Sequence, residues 1–436
     1  MRWPIGHNAG SKVPAMNLLN TSRQRLLPAL IACLVGATWA MPAVSAPPLR
    51  CYADPVPGEA SNNQMVNYNR GLDSQPDPWG SPGAPPIGGA FACSKPGNCD
   101  LRTVMEESST CALLVIKGGN LVYEYYDTTD THCRATAGPN GPQKLYGVAS
   151  VAKSIVSTLL GHVWSSPHPH GGFSLDEPVS RFVTGLPPAT HLQQVTVAQA
   201  LTMTSRLKFD DSATCLKVWT VDHATQAAQG KTFLQAASAY ADRDFWLWPT
   251  RPFQYSGLDS TLVGLTVEAL SRRAGGANHL NETLSELIWS KAGMRSQARW
   301  KADLQNTPAA FCCFYATARD LGRFGQHVLR NVKAVGNTPD TPIRDWMVKA
   351  GREHVRLNRT CRVQHKQIRV GYGYQWWSLS EGEGFAALGN GGQFLHLFPD
   401  DDAVVVQLGS WPENWPDRTE CDVYAAHRFV VDHFSK

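Results

Sequence analysis

The stretch "LYGVASVAKSIVSTLLGHVW", Leu145 to Trp164, carries the first structural signal in this 436-residue chain. Val151, Ile155, Leu159 and Val163 recur every four residues, which predicts a helix over 150–164 with one apolar face. Ser150 stands at its N-terminus and Lys153 lies one turn behind on the same face. Free N–H groups of the first turn lie near the serine hydroxyl. A serine there is also a common N-cap. The spacing alone does not select a site, because Ser205-Arg206-Leu207-Lys208 repeats it. That second copy follows the helical run "VTVAQALTMT" and precedes the polar loop "FDDSAT", so only Ser150 opens a helix.

A serine hydroxyl is a poor nucleophile near neutral pH and needs a base. A lysine, with an ordinary pKa of about 10.4, serves only once burial or a nearby cation lowers it. A tyrosine can relay the proton. "RPFQYSGLDSTLVG" places Tyr255 in a turn just before an apolar helical run, and "GNGGQFLHLF" is a glycine-rich strand edge. Backbone N–H donors at such an edge stabilise a developing oxyanion.

Apolar runs flank Gly118-Gly119-Asn120 and predict a hairpin. Residues 165–300 read as mostly helix and loop, including "VTVAQALTMTS", "KTFLQAASAYA", "STLVGLTVEALSRRAG" and "LNETLSELIWSKAG". "TARDLGRFGQHVLRN" is a further helix. Strands return in "GYGYQWWSL", "GFAALGNGGQFLHLF" and "DAVVVQLGSW", and "ECDVYAAHRFVVDHF" is a last helix. The economical fold is an α+β arrangement: an antiparallel sheet from N- and C-terminal strands, flanked by helices, with a helical region inserted. A site is then expected where sheet and helical region meet.

Residues 1–46 read as a secretory signal peptide: Arg23 and Arg25, then "LLPALIACLVGATWAMPAV", then small residues to Ala46. Pro28 and Pro42 interrupt the run, which is short for a membrane span. Leu30-Ile31-Ala32-Cys33 looks like a lipobox, so a lipoprotein anchored through Cys33 is the minority alternative. The segment holds Arg2, Lys12, Arg23 and Arg25 and no acid, so it accounts for the whole net charge of +4. The remainder is neutral and gives no reason to expect nucleic acid or an anionic membrane as partner. A periplasmic or secreted protein is expected. Residues 47–105, rich in Pro, Gly, Asn and Ser, read as an extended wrap before the main domain, 106–436. Ten of the 11 cysteines follow residue 46, an even number that suggests disulfides. Cys93 and Cys99, around the turn-rich "SKPGN", are the easiest pair. No Cys-x-x-Cys exists and His168-Pro169-His170 lacks spaced partners, so no metal is expected.

Taken in order, Ser150-Val151-Ala152-Lys153, Tyr255-Ser256-Gly257 and Asn390-Gly391-Gly392 resemble the serine β-lactamase-related family. That family includes class C β-lactamases, D-alanyl-D-alanine carboxypeptidases, family VIII carboxylesterases and 6-aminohexanoate-dimer (nylon oligomer) hydrolases. The likeness runs over roughly residues 110–435 and extends to "FSLDEPVSRFV", "VTVAQALTMTS", "TARDLGRFG" and "YGYQWW". It implies the β-lactamase/transpeptidase-like fold and a serine hydrolase without cofactor. It implies Ser150 as the acylated nucleophile, with Lys153 and Tyr255 moving its proton; which of the two is the base stays open. The backbone N–H groups of Ser150 and Gln393 are implied as the oxyanion hole, and Asn390, Gly391 and Gly392 as the substrate-binding edge.

Two positions depart from the penicillin-interacting members. Gly257 replaces the asparagine of Tyr-x-Asn, and Asn390 replaces the cation that would pair with a substrate carboxylate. Both argue against β-lactams and toward a small amide or ester. "YGYQWW" and "GQF" look most like the nylon-oligomer hydrolase branch. Alternatives are a β-lactamase or carboxypeptidase, and a catalytically weak binding or sensor domain, which Gly257 permits. Trp376 and Trp377 are candidates for an apolar acyl pocket or for core packing.

Overall fold

The computed structural model describes residues 63–129, 133, 140–165, 173–188, 190–207, 232–235, 253–303, 305–333, 342–411 and 417–436. All of these lie within the compact unit Pro48–Lys436. The signal-like segment, Cys33, Cys51, Lys208, Cys215, His168-Pro169-His170 and most of "KTFLQAASAYA" lie outside the described residues.

In chain order, β1 (Asn63–Val66), β2 (Phe91–Ala92) and β3 (Asn98–Cys99) precede α1 (Leu101–Glu107). Strands β4 (Thr110–Lys117), β5 (Asn120–Tyr126) and β6 (Tyr146–Gly147) lead to α2 (Val151–Ser165). Then come α3 (Val197–Leu201), α4 (Gly257–Arg273) and α5 (Leu280–Leu284), which runs into a π-helical turn, Ser285–Trp289. Strands β7 (Ala298–Lys301) and β8 (Phe314–Ala316) precede α6 (Ala318–Val332) and α7 (Pro342–Ala350). Six strands follow: β9 (Val355–Val363), β10 (Lys366–Tyr372), β11 (Trp377–Leu379), β12 (Phe385–Gly389), β13 (Gln393–Phe398) and β14 (Ala403–Gly409). The last element is α8 (Asp417–His433).

The main sheet is antiparallel with order β5-β4-β14-β13-β12-β11-β10-β9. It is built from both ends of the chain, as the strand pattern predicts, and β4 pairs directly with β14. Leu114, Ile116, Val404 and Val406 face one core; Leu113, Val115 and Val405 face the other. With both faces covered, β4 reads as an unbroken apolar run rather than an alternation. Helices α1 and α8 cover one face. The other packs on α6, at β4, β13 and β14, and on α2, at β12 and β13. A smaller sheet, β1-β7-β8-β6, was not legible in the sequence. Nor was the hairpin β9–β10, whose "VRLNRTCRV" carries few apolar residues. "GYGYQWWSL" is not one strand: Gly373 N–H donates to Trp376 O (2.7 Å) and the chain turns between β10 and β11. A Cβ on Gly373 would lie 2.0 Å from Ala350 O, so only glycine lets this turn sit on the end of α7.

Helix α2 differs from expectation in one respect. Every residue from Val151 to Gly161 is buried, not one apolar face alone. Its polar side chains find backbone partners. Ser154 Oγ donates to Gln375 O and Ser157 Oγ to Tyr374 O, both at 2.5 Å, which ties the helix to the β10–β11 turn. The Trp346 indole of α7 lies across Gly161 and donates to Ser157 O (3.1 Å). A Cβ on Gly161 would meet Trp346 Cδ1 at 2.3 Å.

The N-terminal segment is held by charge. Asp77 bonds Arg319 (3.0 Å) and Arg323 (2.6 Å) of α6, and the Arg323 guanidinium lies 4.4 Å from the Trp79 ring. Burial works against ionisation of Asp77. The Arg323 hydrogen bond, the Trp79 N–H and both guanidinium charges outweigh it and hold the carboxyl below its usual range. Sulfur atoms adjoin in four pairs: Cys93 with Cys99, Cys111 with Cys133, Cys312 with Cys313, and Cys361 with Cys421. No helix among the described residues is long and apolar enough to cross a membrane.

Two outcomes follow from this packing. Gly161→Ala should destabilise by about 1–3 kcal/mol through overpacking, more than the roughly 1 kcal/mol of helix propensity alanine gains. Thermal unfolding reads it, and an unchanged or raised Tm would contradict the contact. For Asp77 the folded pKa is depressed, so its contribution is present above the unfolded pKa of about 3.9 and fades as pH falls through the folded value. Asp77→Asn should therefore be less stable than the parent near neutrality and lose less on acidification below about pH 4; equal acid sensitivity of the two would refute the assignment.

Candidate active site

Three stretches of chain meet at the N-terminus of α2. The approach is set by β6, where Val148 N–H donates to Phe314 O at the edge of β8 (2.9 Å). Ala149 then takes φ +46°, an uncommon conformation for a residue with a Cβ, and delivers Ser150 to the helix start. Ser150 is partly exposed, and no acceptor for its backbone N–H is found among the described residues. Lys153 is 2% exposed; its Nζ lies 3.0 Å from Ser150 Oγ and 2.9 Å from Phe311 O. The same Nζ stands 4.7 Å from the centroid of the Tyr255 ring. The sequence pairs Ser150 with Lys153 by spacing; the fold brings in Tyr255.

Tyr255 sits just before α4, whose first turn Ser256 caps by accepting from Asp259 N–H (3.3 Å). Met203, beyond α3, holds this approach: its carbonyl accepts from Gln254 N–H (2.9 Å) and its sulfur from Ser256 N–H (3.4 Å). The Tyr255 ring stacks on Trp377 (5.7 Å) and meets Tyr372 edge-on (6.2 Å); Phe253 packs on both. Burial drives the Tyr372 phenol well above its usual range, and Tyr255 and Asp259 push it the same way, so it is a neutral wall. The two tryptophans of "YGYQWW" have separate fates. Trp376 is wholly buried against Phe385, while Trp377 is half-buried beside Tyr255.

The third stretch is the turn between β12 and β13. Gly389 faces Gln393 across the ladder, leaving Asn390, Gly391 and Gly392 as the loop. Gly391 and Gly392 have φ of +79° and +84°. A Cβ on Gly392 would meet the Trp411 indole at 2.3 Å. Gln393 turns its side chain away into the sheet, where Nε2 donates to Gly391 O and Gly409 O, both at 2.9 Å. Asn390 is exposed, and its Oδ1 accepts from Gly391 N–H (3.0 Å).

Sequence reasoning missed two positions. A Cβ on Gly389 would lie 2.4 Å from Val148 O and 3.2 Å from the Ala149 Cβ. Gly389 is thus what lets this hairpin sit against the residues that present Ser150; its place beside the quoted glycines was the available signal. Phe311, whose carbonyl bonds Lys153, gave none, because any residue offers a carbonyl. In the second Ser-x-x-Lys, whose lysine lies outside the described residues, Ser205 is buried, and its Oγ accepts from Leu207 N–H (3.2 Å). Among the described residues one group has metal-ligand proximity, Cys93, Cys99 and Asp422, but those two sulfurs adjoin each other.

The assembled geometry is that of a partly exposed hydroxyl hydrogen-bonded to a buried amine beside a phenol ring, next to a glycine turn. The chain is similar to several known proteins. A 6-aminohexanoate-dimer hydrolase of Paenarthrobacter ureafaciens is 26% identical over 329 residues, 72% of this chain and 76% of that protein. A solved structure described as "Putative 6-aminohexanoate-dimer hydrolase from Bacillus anthracis" superposes with TM-score 0.64 at 19% identity, covering 86% of this chain and 91% of the other. A class C beta-lactamase superposes with TM-score 0.50 at 14% identity, over 75% and 92% of the two chains. These likenesses establish the β-lactamase/transpeptidase-like fold. The Beta-lactamase family model matches residues 101–428, three quarters of the sequence, and the chain belongs to that family of hydrolases.

Proposed function

We propose that this protein is an exported serine hydrolase that opens a small amide or ester through an acyl-enzyme on Ser150. The observation that carries the reading is the 3.0 Å contact between Lys153 Nζ and Ser150 Oγ, with the Tyr255 ring against the same amine. In the proposed step Ser150 Oγ bonds to the substrate carbonyl carbon while its proton passes to the Lys153–Tyr255 pair. That proton then goes to the departing amine or alcohol as its bond to the carbonyl carbon breaks. Water attacks the acyl-serine, its proton taken by the same pair, and the acid and the Ser150 hydroxyl are released. The unbonded N–H of Ser150 and the backbone N–H of Gln393 are the proposed oxyanion donors. Asn390, Gly391 and Gly392 are the proposed substrate edge, and Trp377 the apolar wall.

Substrate class rests on what the edge lacks. Asn390 cannot form an ion pair with a substrate carboxylate, and its amide oxygen already accepts from Gly391 N–H. The reading therefore favours short linear amides, of the kind named for the Paenarthrobacter relative, and short-chain esters over β-lactams. Residues 1–46 are proposed as a signal peptide directing the chain to the periplasm or outside, where the adjoining cysteine pairs would be oxidised. Residues 47–105 are proposed as an extension on the hydrolase domain 106–436.

Intact-protein mass spectrometry after a fluorophosphonate probe should show one adduct on the mature protein, absent in Ser150→Ala; the same mass reads the cut after residue 46. Lys153→Ala and Tyr255→Phe should each lower kcat by about 10²–10⁴ with smaller changes in KM. An adduct that persists in Ser150→Ala would end the proposal. With p-nitrophenyl butyrate, 6-aminohexanoate dimer and nitrocefin side by side, ester turnover is expected and nitrocefin near background; nitrocefin as the best of the three would overturn the reading of Asn390.

A further inference from the structure

Lys153 is held from two sides, and the second side leads to a feature that the hydrolase reading does not use. Phe311 O, which accepts from Lys153 Nζ at 2.9 Å, is followed directly by Cys312 and Cys313, whose sulfurs adjoin. Both cysteines are buried, at 0% and 2% exposure. Cys313 takes φ +64°, a conformation that L residues with a Cβ rarely adopt. The surrounding bonds converge on this one turn. Cys312 N–H donates to Ala309 O (3.1 Å), and Lys301 N–H donates to Cys313 O (3.0 Å). The Trp300 indole N–H lies between Ala309 O (2.9 Å) and Cys312 O (3.0 Å). On the far side the Phe311 ring meets Phe233 edge-on at 5.7 Å.

A bond between neighbouring cysteines closes a small ring through their shared peptide. The ring takes away the torsional freedom on either side of that peptide, ψ of Cys312 and φ of Cys313, and so holds the tight turn in which the preceding peptide, with the Phe311 carbonyl, is pinned by Cys312 N–H donating to Ala309 O. It also over-determines the positive φ of Cys313, which an open pair of thiols would leave disfavoured. Direction matters here because a hydrogen bond to an amine weakens steeply when misaligned, and misplacement of a reacting group by about 1 Å costs on the order of 10²-fold in rate.

We propose that a Cys312–Cys313 disulfide is a positioning element for catalysis: it aims the Phe311 carbonyl at Lys153 and thereby holds the amine beside Ser150. The inference rests on the hydrolase reading and adds to it a requirement for oxidation in a buried turn. Forming the bond removes two thiol protons and two electrons, and a donor disulfide of an oxidising compartment accepts them by thiol–disulfide exchange, becoming its dithiol. Because both sulfurs are buried, the bond would form before the fold closes over it and act as a fixed part of the site.

The test uses the mature protein and three variants. Cys312→Ala/Cys313→Ala removes the bond and keeps the disfavoured φ. Cys312→Ala/Cys313→Gly removes the bond but places at position 313 the residue that accepts positive φ freely. Cys361→Ala/Cys421→Ala removes a distant pair as a control. For the first variant, kcat on p-nitrophenyl butyrate and the rate of fluorophosphonate labelling of Ser150 should fall together by about 10–100-fold, with KM within about twofold. The glycine variant should recover most of that loss, and the control should keep both rates. Three results would overturn the proposal: kcat of the double-alanine variant within about twofold of the parent, a loss shared by kcat and KM that glycine does not rescue, or complete alkylation of Cys312 and Cys313 in the unreduced parent. Failure of the parent itself to label at Ser150 would strike the hydrolase reading instead, and the positioning role would fall with it.

Discussion

A lysine with 2% of its surface exposed is the constraint around which this structure is arranged. Burying an amine is expensive unless its hydrogens are matched by acceptors. Lys153 finds Ser150 Oγ just before its own helix and Phe311 O from a turn 158 residues away. Neither partner can be loose. The serine is fixed by being the residue before a helix that is enclosed on all sides. The carbonyl is fixed by a turn whose oxygens hold the Trp300 indole.

Enclosing α2 creates a second demand, since a helix with buried serines and threonines must satisfy them internally. Ser154 and Ser157 reach the carbonyls of the β10–β11 turn, and Thr158 reaches Ser154 O (2.8 Å). Those bonds fasten the turn carrying Trp376 and Trp377 to the same helix that carries Ser150. Trp377 then supports the Tyr255 ring by stacking. Nucleophile, amine and phenol are therefore connected through one helix and what it touches. Close approach at three points depends on residues without a side chain: Gly161 under Trp346, Gly373 on the end of α7, and Gly389 against Val148 O.

The main sheet supplies rigidity behind this assembly. It has a packed core on each face, and β12 and β13 lie inside it rather than at an edge. The glycine turn between them is thus held by strands on both sides, and Gln393 fastens it further by bonding Gly391 O and Gly409 O. Asp77 clamps the N-terminal segment to α6, so charge rather than the Cys93–Cys99 pair alone secures that wrap.

Local pattern was enough for α2, α4, α6 and α8, for the β4–β5 hairpin and for a sheet drawn from both chain ends, because burial of a long amphipathic or doubly covered segment leaves a periodic trace. The spacing of Ser150 and Lys153 was likewise readable, since one helical turn relates them whatever surrounds it. The polar hairpin β9–β10, the break inside "GYGYQWW" and the small sheet β1-β7-β8-β6 left no such trace; they are set by what they pack against. Tyr255 was named beside Lys153 through the family resemblance, not by spacing; its meeting with the amine, the opposite fates of Trp376 and Trp377, and the carbonyl of Phe311 were decided by the packing. A backbone oxygen has no residue identity, and the distance between chain segments is fixed by packing, which no stretch of sequence encodes alone.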